Sequence, residues 1–192
     1  VTAAYGNSVV KARGGQAELL SVIADAKADG VEIRRELFTA GELDSLPALA
    51  EKIKSHGLFA VYSVPFPLFS AGGKLNSDAS QYFEEARILT IKFSLGEFMP
   101  GQDLTPLKVV LASSPVKLVV ENDQSPDCGI LSRINAFMFA AESLHLPLSM
   151  TFDMANWLWV GQDPAVAAER LARHVGYVHV KAAQKRSGKW HA

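Results

Sequence analysis

Three side chains that could bind a metal ion lie at the ends of apolar segments in the second half of the sequence. Glu121 follows the run LVV, Asp153 lies in LSMTFDMANW, and His179 lies in GYVHVKAA. Burying a carboxylate is costly unless it is paired, hydrogen-bonded or bound to a metal. Two carboxylates and an imidazole suit a divalent cation such as Mn, Mg, Co or Zn. The residue types therefore predict a metal site, with Glu121, Asp153 and His179 as its ligands.

Each of these residues also has an ordinary structural interpretation. Glu121 could be a solvated residue at the start of a loop, Asp153 a helix cap, and His179 a core histidine bonded to a carbonyl. The intervals between them are close to one strand–helix unit each, and successive strands of a parallel barrel are neighbours. Three such residues at successive strand ends favour one shared site over three unrelated roles.

Charged residues alternate with apolar ones in two earlier segments. In VEIRREL, the side chains of Glu32, Arg34 and Glu36 share one face of an extended chain. Lys92 stands between two apolar neighbours in IKFSLGEF, where an unpaired ammonium group would be costly to bury. Lys92 should therefore meet a carboxylate or a sugar oxygen. For the first segment, a structural Glu32–Arg34 network and a grip on a substrate stay open.

The elements that would position these residues recur along the chain. Strand-like segments lie at 2–10, 31–37, 58–69, 91–98, 116–126, 148–157 and 176–183. Amphipathic or capped helical segments lie at 16–29, 43–56, 77–90, 103–113, 130–145 and 163–175. The later strands begin at intervals of roughly 30 residues with one helix in each interval, a pattern typical of parallel strands with right-handed crossovers.

Two architectures with parallel strands compete. A doubly wound sheet would usually carry a glycine-rich phosphate loop after its first strand, and the sequence has neither GxGxxG nor GxxxxGK[ST]. A TIM (β/α) barrel places its functional residues at the ends of several strands, as here. The sequence thus predicts an α/β barrel that is apparently incomplete, with about seven strands and the eighth unit missing from this chain. We expect one domain over residues 1–192, truncated at its C-terminus.

Composition narrows the class of protein further. The chain has 192 residues, of which 48% are hydrophobic, and a formal net charge of −1, so no nucleic-acid partner is expected. A single cysteine, Cys128, excludes a disulfide framework within the chain and predicts a reducing, cytoplasmic location. No run of about 20 apolar residues and no signal peptide is present, so no membrane partner is expected.

Four motifs, in this order and spacing, resemble the sugar phosphate isomerase/epimerase group of the xylose isomerase-like TIM-barrel superfamily. They are DGVEIRREL, VVENDQ, TFDMANW and YVHVK, and the resemblance covers nearly the whole chain. It implies a metal-dependent enzyme that interconverts small ketoses and aldoses, or their phosphates, by proton transfer through an enediolate.

The resemblance also implies roles for individual residues. In the ketose epimerase branch a Glu, an Asp, a His and a second Glu from strand eight hold the metal; Glu121, Asp153 and His179 match the first three, and the fourth has no counterpart. Glu121 would also be catalytic, as one of the two carboxylates that move the proton. Asn156 stands where relatives often have a substrate-binding His, and Ala182 where many have the Asp of HxKD. The expected substrate-binding residues are Glu32, Arg34, Lys92, Asn156, Trp157 and Lys181.

Two other functions remain as alternatives. The chain could be a non-catalytic or incomplete barrel of the same superfamily, since the fourth ligand is absent. A nuclease resembling endonuclease IV would need a cluster of several metal ions with many more ligands than the five histidines allow. The expected partner is therefore a small sugar or sugar phosphate. The exposed strand edges of an incomplete barrel invite pairing with another chain, so a homo-oligomer stays open.

Overall fold

Six parallel strands form the main sheet of the computed structural model, which describes residues 6–86 and 89–191. The strands are β1 (Gly30–Arg34), β2 (Phe59–Phe69), β3 (Thr90–Gly96), β4 (Lys117–Glu121), β5 (Leu148–Asp153) and β6 (Val175–His179). They follow one another in the sheet in chain order. Within the described ranges β1 pairs with β2 alone and β6 with β5 alone, so the sheet is a curled half-barrel. The predicted incomplete α/β barrel is confirmed.

Helices connect these strands. They are α1 (Asn7–Ala12), α2 (Leu20–Asp25), α3 (Ala40–Asp44), α4 (Leu46–Ser55), α5 (Ala79–Glu85), α6 (Thr105–Ala112), α7 (Leu131–Ser143), α8 (Asn156–Trp159) and α9 (Pro164–Leu171). Local sequence explains several helix starts. Thr39 and Glu42 form a reciprocal capping box at α3, and the Asp163 carboxylate accepts the Ala165 amide at α9.

Several predicted element boundaries are corrected. The strands predicted to reach residues 37, 126 and 157 end at Arg34, Glu121 and Asp153. The predicted first strand, 2–10, is wrong from Asn7 onward, because Asn7–Ala12 is helical; residues 2–5 lie outside the described part. A short apolar pair such as VV is compatible with either structure. The helix predicted at 16–29 is a 3₁₀ turn, Gln16–Leu19, followed by α2. The helix predicted to reach residue 90 ends at Glu85, with residues 87 and 88 outside the described part, and the last strand ends at His179 rather than 183.

The prolines of β2 shift the strand register without ending it. The pairing of β2 with β3 is irregular between Ser63 and Pro67, then resumes as far as Phe69 and Gly96. Gly96 has φ of 75°, and a Cβ there would lie 2.1 Å from the carbonyl oxygen of Phe69. Only glycine fits this close approach of the two strands.

The hydrophobic core lies between the sheet and the helices. Its largest fully buried side chains include Trp157, Tyr62, Phe69, Phe93, Phe98 and Phe137. Along β5, Met150 and Phe152 belong to this core, whereas Asp153 lines a cleft on the other face. The strands therefore direct apolar residues to the helices and polar ones to the barrel interior.

One small element lies outside this layered arrangement. The basic C-terminal segment forms a small antiparallel hairpin, β7 (Gln184–Arg186) with β8 (Lys189–His191). No helix within 6–86 or 89–191 combines the length and the apolar character that crossing a bilayer requires.

Candidate functional site

The three predicted metal ligands meet at the carboxyl ends of the last three strands of the sheet. Glu121 ends β4, Asp153 ends β5 and His179 ends β6. The Nδ1 atom of His179 lies 2.5 Å from Oε1 of Glu121 and 3.9 Å from Oδ2 of Asp153. One ligand atom from each residue lies within 4.8 Å of the other two. The strand ends thus bring the three residues together, and their role as ligands stays a prediction.

Two lysines approach the same carboxylates. The Lys92 ammonium group is 2.9 Å from Oε2 of Glu121 and 2.9 Å from Oε1 of Glu32, so it bridges β4 and β1. The Lys181 ammonium group is 3.1 Å from Oδ2 of Asp153. Lys92 is buried, and it contacts carboxylates, which are one of the two kinds of partner expected from its sequence context.

His179 is held through both ring nitrogens. Its Nε2 lies 2.9 Å from Oε2 of Glu32, on the side of the ring opposite Glu121 and Asp153. Burial alone would lower the pKa of His179, but its hydrogen bonds with Glu121 and Glu32 outweigh this effect and raise the pKa to about 9. Burial likewise opposes ionisation of Glu32, yet His179 and Lys92 lower its pKa to about 2. The same two partners keep the pKa of the buried Glu121 below its ordinary value. The chain therefore holds these carboxylates ionised.

The end of β5 is fixed by hydrogen bonds that sequence reasoning missed. The fully buried side chain of Asn122 accepts the backbone N–H of Asp153 (2.9 Å) and donates to its carbonyl oxygen (3.0 Å). The Oδ1 atom of Asp153 accepts the backbone N–H groups of Ala155 and Asn156, each at 3.0 Å. These bonds hold one carboxylate oxygen on the backbone and leave Oδ2 toward His179. The only sign of these bonds in the sequence is the amide side chain of Asn122, directly after Glu121 in VVENDQ.

The cluster opens into a cleft of about 1100 Å³. Five of the six residues predicted to bind substrate line it: Glu32, Arg34, Lys92, Asn156 and Lys181. Arg34 pairs with Glu36 at 2.5 Å on the rim. The side-chain oxygen of Asn156 accepts hydrogen bonds from Lys181 (2.7 Å) and Gln124 (3.0 Å).

Trp157 is the exception among the predicted substrate-binding residues. Its side chain is fully buried, and its ring packs against Phe152 with the centroids 5.6 Å apart. It does not line the cleft, so the predicted contact with a sugar is corrected to a core-packing role. Successive side chains of a helix point in directions about 100° apart, so Trp157 does not share the direction of Asn156 on the short helix α8.

The donor set fits a divalent cation. Carboxylate oxygens and one imidazole nitrogen are ligands that Mn, Mg, Co or Zn accept. With a neutral imidazole, the carboxylates of Glu32, Glu121 and Asp153 exceed the ammonium groups of Lys92 and Lys181 by one negative charge. A cation is therefore compatible with the charge of the cluster.

Known proteins resemble this chain in structure but not in sequence. No protein-family model matches, and no curated protein sequence does. A 3-keto-D-glucoside 4-epimerase from E. coli matches with a TM-score of 0.61 and 16% identity, over 85% of this chain and 72% of that one. A D-psicose 3-epimerase, crystallised in the presence of D-fructose, matches with a TM-score of 0.60 and 11% identity, over 85% and 66%. At these identities the likeness establishes a shared fold.

A third structure extends the range of this fold. The probable 3-DHS dehydratase involved in petrobactin synthesis from Bacillus anthracis matches with a TM-score of 0.57 and 14% identity, over 89% of this chain and 69% of that one. The chain thus spans about two thirds of the length of each of these structures.

Proposed function

We propose that this chain carries the metal-binding part of a sugar or sugar phosphate isomerase or epimerase that works by proton transfer through an enediolate. The observation that carries the proposal is the meeting of Glu121, Asp153 and His179 at three successive strand ends, inside a cleft. Two proteins that share the fold are named as sugar epimerases, which supports this substrate class.

In the proposed mechanism, Glu121, Asp153 and His179 hold a divalent ion whose bound form would supply Lewis-acid polarisation of the substrate carbonyl. Glu121, held ionised, takes the carbon-bound proton, and a second carboxylate, for which the resemblance offers no counterpart in this sequence, would return it. The ammonium groups of Lys92 and Lys181 lie beside the carboxylates and donate hydrogen bonds to the oxygens on which negative charge develops.

The rest of the cleft binds and orients the substrate. Arg34 on the rim offers a guanidinium group to hydroxyls or to a phosphate, and Asn156 and Lys181 present a hydrogen-bonded pair to the sugar. Glu32 contributes carboxylate oxygens on the opposite wall. A small polyhydroxylated ligand matches this wall of donors and acceptors better than an apolar one.

The test is exchange of substrate protons in deuterated water. Small ketoses and their phosphates are incubated with the chain and Mn, and deuterium uptake at carbon is followed by NMR. Glu121→Gln should lower the exchange rate by about 10²- to 10⁴-fold, the range of a general base. Glu142→Gln is the matched control, since Glu142 pairs with Arg173 on the outer surface. Exchange that survives Glu121→Gln unchanged would remove Glu121 from the mechanism.

Two alternatives have their own readouts. The dehydratase among the structures with this fold makes loss of water from a keto substrate a second candidate reaction, visible in the same NMR spectra. A non-catalytic barrel would bind no Mn at micromolar supply, which mass spectrometry of the native chain detects. The proposal also includes pairing of two copies through the open edges of β1 and β6, which light scattering measures.

A further inference from the structure

We infer that Glu32 is a positioning residue for His179: it holds Nε2 of the imidazole, so that Nδ1 faces Glu121 and Asp153. The consequence for metal binding rests on the proposed function. The orientation of the ring does not, and it can be measured in the metal-free chain.

The contacts around the ring assign each nitrogen a different neighbour. Nε2 is 2.9 Å from Oε2 of Glu32, whereas Nδ1 is 2.5 Å from Oε1 of Glu121. Tyr177, two residues earlier on β6, donates its hydroxyl to the same Oε2 of Glu32 at 3.3 Å. Its ring meets the imidazole edge-on, with the centroids 4.9 Å apart. Glu32 and Tyr177 therefore hold the ring on the side away from Asp153.

The neighbour of each ring nitrogen determines which of them keeps a proton. The Oε2 atom of Glu32 already accepts the Tyr177 hydroxyl, so it faces Nε2 as an acceptor and Nε2 carries the hydrogen between them. Nδ1 lies 2.5 Å from Oε1 of Glu121 and is the nitrogen that faces the predicted metal site, so a bound metal would leave the hydrogen on Nε2 in place. A metal-ligating histidine commonly donates its other ring N–H to a carboxylate, and this bond fixes the ring and strengthens the ligand.

The contact between Glu32 and His179 joins two strands that are far apart in the sheet order. Glu32 is on β1 and His179 is on β6, and these strands do not pair within the described residues. The carboxylate reaches His179 across the mouth of the half-barrel, and its other oxygen contacts Lys92 on β3. Glu32 could also serve simply to join the two ends of the sheet, so the test needs a signal from the imidazole itself.

The experiment uses the full chain with ¹⁵N-labelled histidine, and His179→Asn identifies the His179 signals. NMR of the metal-free chain should show a hydrogen-bonded Nε2 proton in the wild type that shifts or exchanges with water in Glu32→Gln. On addition of Zn, the Nδ1 signal of the wild type should shift while Nε2 stays protonated. Calorimetry with Mn should show Glu32→Gln binding about 10- to 100-fold more weakly.

Further variants separate positioning from folding. Glu32→Asp keeps the acceptor charge and should restore part of the affinity and of the Nε2 signal. Tyr177→Phe removes only the hydroxyl and should have a smaller effect. Glu36→Gln makes the same charge change on the cleft rim and should leave both readouts unchanged. Circular dichroism verifies that each variant is folded.

The outcomes are distinct. Equal Mn affinity and an unchanged Nε2 signal in folded Glu32→Gln would overturn the inference and leave the proposed function standing. A wild-type chain that binds no metal would overturn the proposed function, and the Nε2 signal of the metal-free chain would then decide the orientation alone. Weaker binding with an unchanged Nε2 signal would also overturn the inference, since Glu32 would then act on the metal without acting on His179.

Discussion

Two clusters of charged side chains lie on opposite faces of the same sheet. The inner cluster, defined as Glu32, Lys92, Glu121, Asp153, His179 and Lys181, lies at the carboxyl ends of the strands and opens into the cleft. The outer cluster, defined as Arg35, Tyr62, Gln81, Tyr82 and Glu85, lies between β2 and α5. Both are ion networks with partly buried members, yet only the inner one contains residues of metal-ligating type from several strand ends.

The outer cluster is closed around one carboxylate. Arg35 binds Glu85 through two nitrogens at 2.7 and 2.9 Å, and its guanidinium group lies 4.8 Å from the centroid of the Tyr82 ring. Tyr62 donates its hydroxyl to Glu85, and Gln81 donates its amide at 2.9 Å. Donors thus surround both oxygens of Glu85, and this is the arrangement expected of a stabilising network.

The inner cluster is built differently, because its carboxylates share their cations. Lys92 and His179 each contact both Glu32 and Glu121, so no pair is exclusive. The carboxylates of Glu32, Glu121 and Asp153 line the cleft, so a ligand bound there can replace one of their present contacts. The comparison teaches that burial alone does not separate function from stability. Access does not separate them either, because Tyr62, Gln81 and Glu85 line a cavity of about 540 Å³. The convergence of ligand atoms from three strand ends does.

The sharpest way to break this comparison is to remove a carboxylate from the inner cluster. Asp153→Asn keeps the shape and loses the ligand charge at Oδ2. We expect Mn affinity to fall by more than the roughly 100-fold that loss of a supporting residue can cost. Calorimetry measures the affinity, and Glu85→Gln, in the outer cluster, is the control that should bind Mn like the wild type. Equal losses in both variants would erase the distinction.

The second prediction concerns the stability that the outer cluster contributes, rather than metal affinity. Glu85→Gln removes the charge that Arg35 and Tyr62 bind, and the loss of charge-assisted hydrogen bonds should lower the free energy of unfolding by about 2–3 kcal/mol. Urea unfolding followed by circular dichroism gives the value. Glu142→Gln, on an exposed pair, should change it by about 0.5 kcal/mol or less. A Glu85→Gln variant as stable as the wild type would mean that the outer cluster contributes nothing.

The sequence predicts part of the inner cluster and nothing of the outer one. The positions of Glu121, Asp153 and His179 followed from the repeat of strands and helices, because one unit of spacing places successive strand ends side by side. The apolar neighbours of Lys92 predicted either a carboxylate or a sugar oxygen as its partner, and it contacts the carboxylates of Glu32 and Glu121. These are local or periodic signals, which a single sequence carries.

The remaining contacts had no such signal. Glu32 meets His179 from a strand that is not its neighbour in the sheet, across the open mouth of the half-barrel. The side chain of Asn122 makes hydrogen bonds to the Asp153 backbone of the kind that a neighbouring strand would otherwise make. From sequence alone, a polar residue after a strand usually suggests only a turn. Trp157 is expected at a sugar face because it is aromatic, and the sequence alone does not show that its side of α8 packs into the core.

The third prediction tests the support of the inner cluster by Asn122. Asn122→Ala removes both side-chain hydrogen bonds to the Asp153 backbone, so that the end of β5 is held less firmly beside β4. We expect Mn affinity to fall about 10-fold, as for loss of a residue that orients a ligand. The variant is measured by calorimetry beside Ser143→Ala, whose hydroxyl only bonds its own helix. Unaltered Mn affinity in Asn122→Ala would show that Asp153 is positioned by its helix amides alone.

The smallest expected effect is a pH dependence confined to the outer cluster. Burial would raise the pKa of Glu85, but the hydrogen bonds from Arg35, Tyr62 and Gln81 outweigh it and lower that pKa below the ordinary value of 4.5. A carboxyl whose pKa is lower in the folded chain contributes stability above pH 4.5, and this contribution is lost as the pH falls through the lowered value.

The difference in unfolding free energy between the wild type and Glu85→Gln should therefore be constant near neutral pH and narrow as the pH falls below 4.5. Urea unfolding of both proteins at several pH values measures this difference, and other acid-sensitive groups cancel because both proteins carry them. A difference that stays constant into the acid range would show that shape, rather than the charge of Glu85, holds Arg35 and Tyr62 together. The outer cluster would then differ from the inner one in kind, since in the inner one the charges themselves determine which atoms meet.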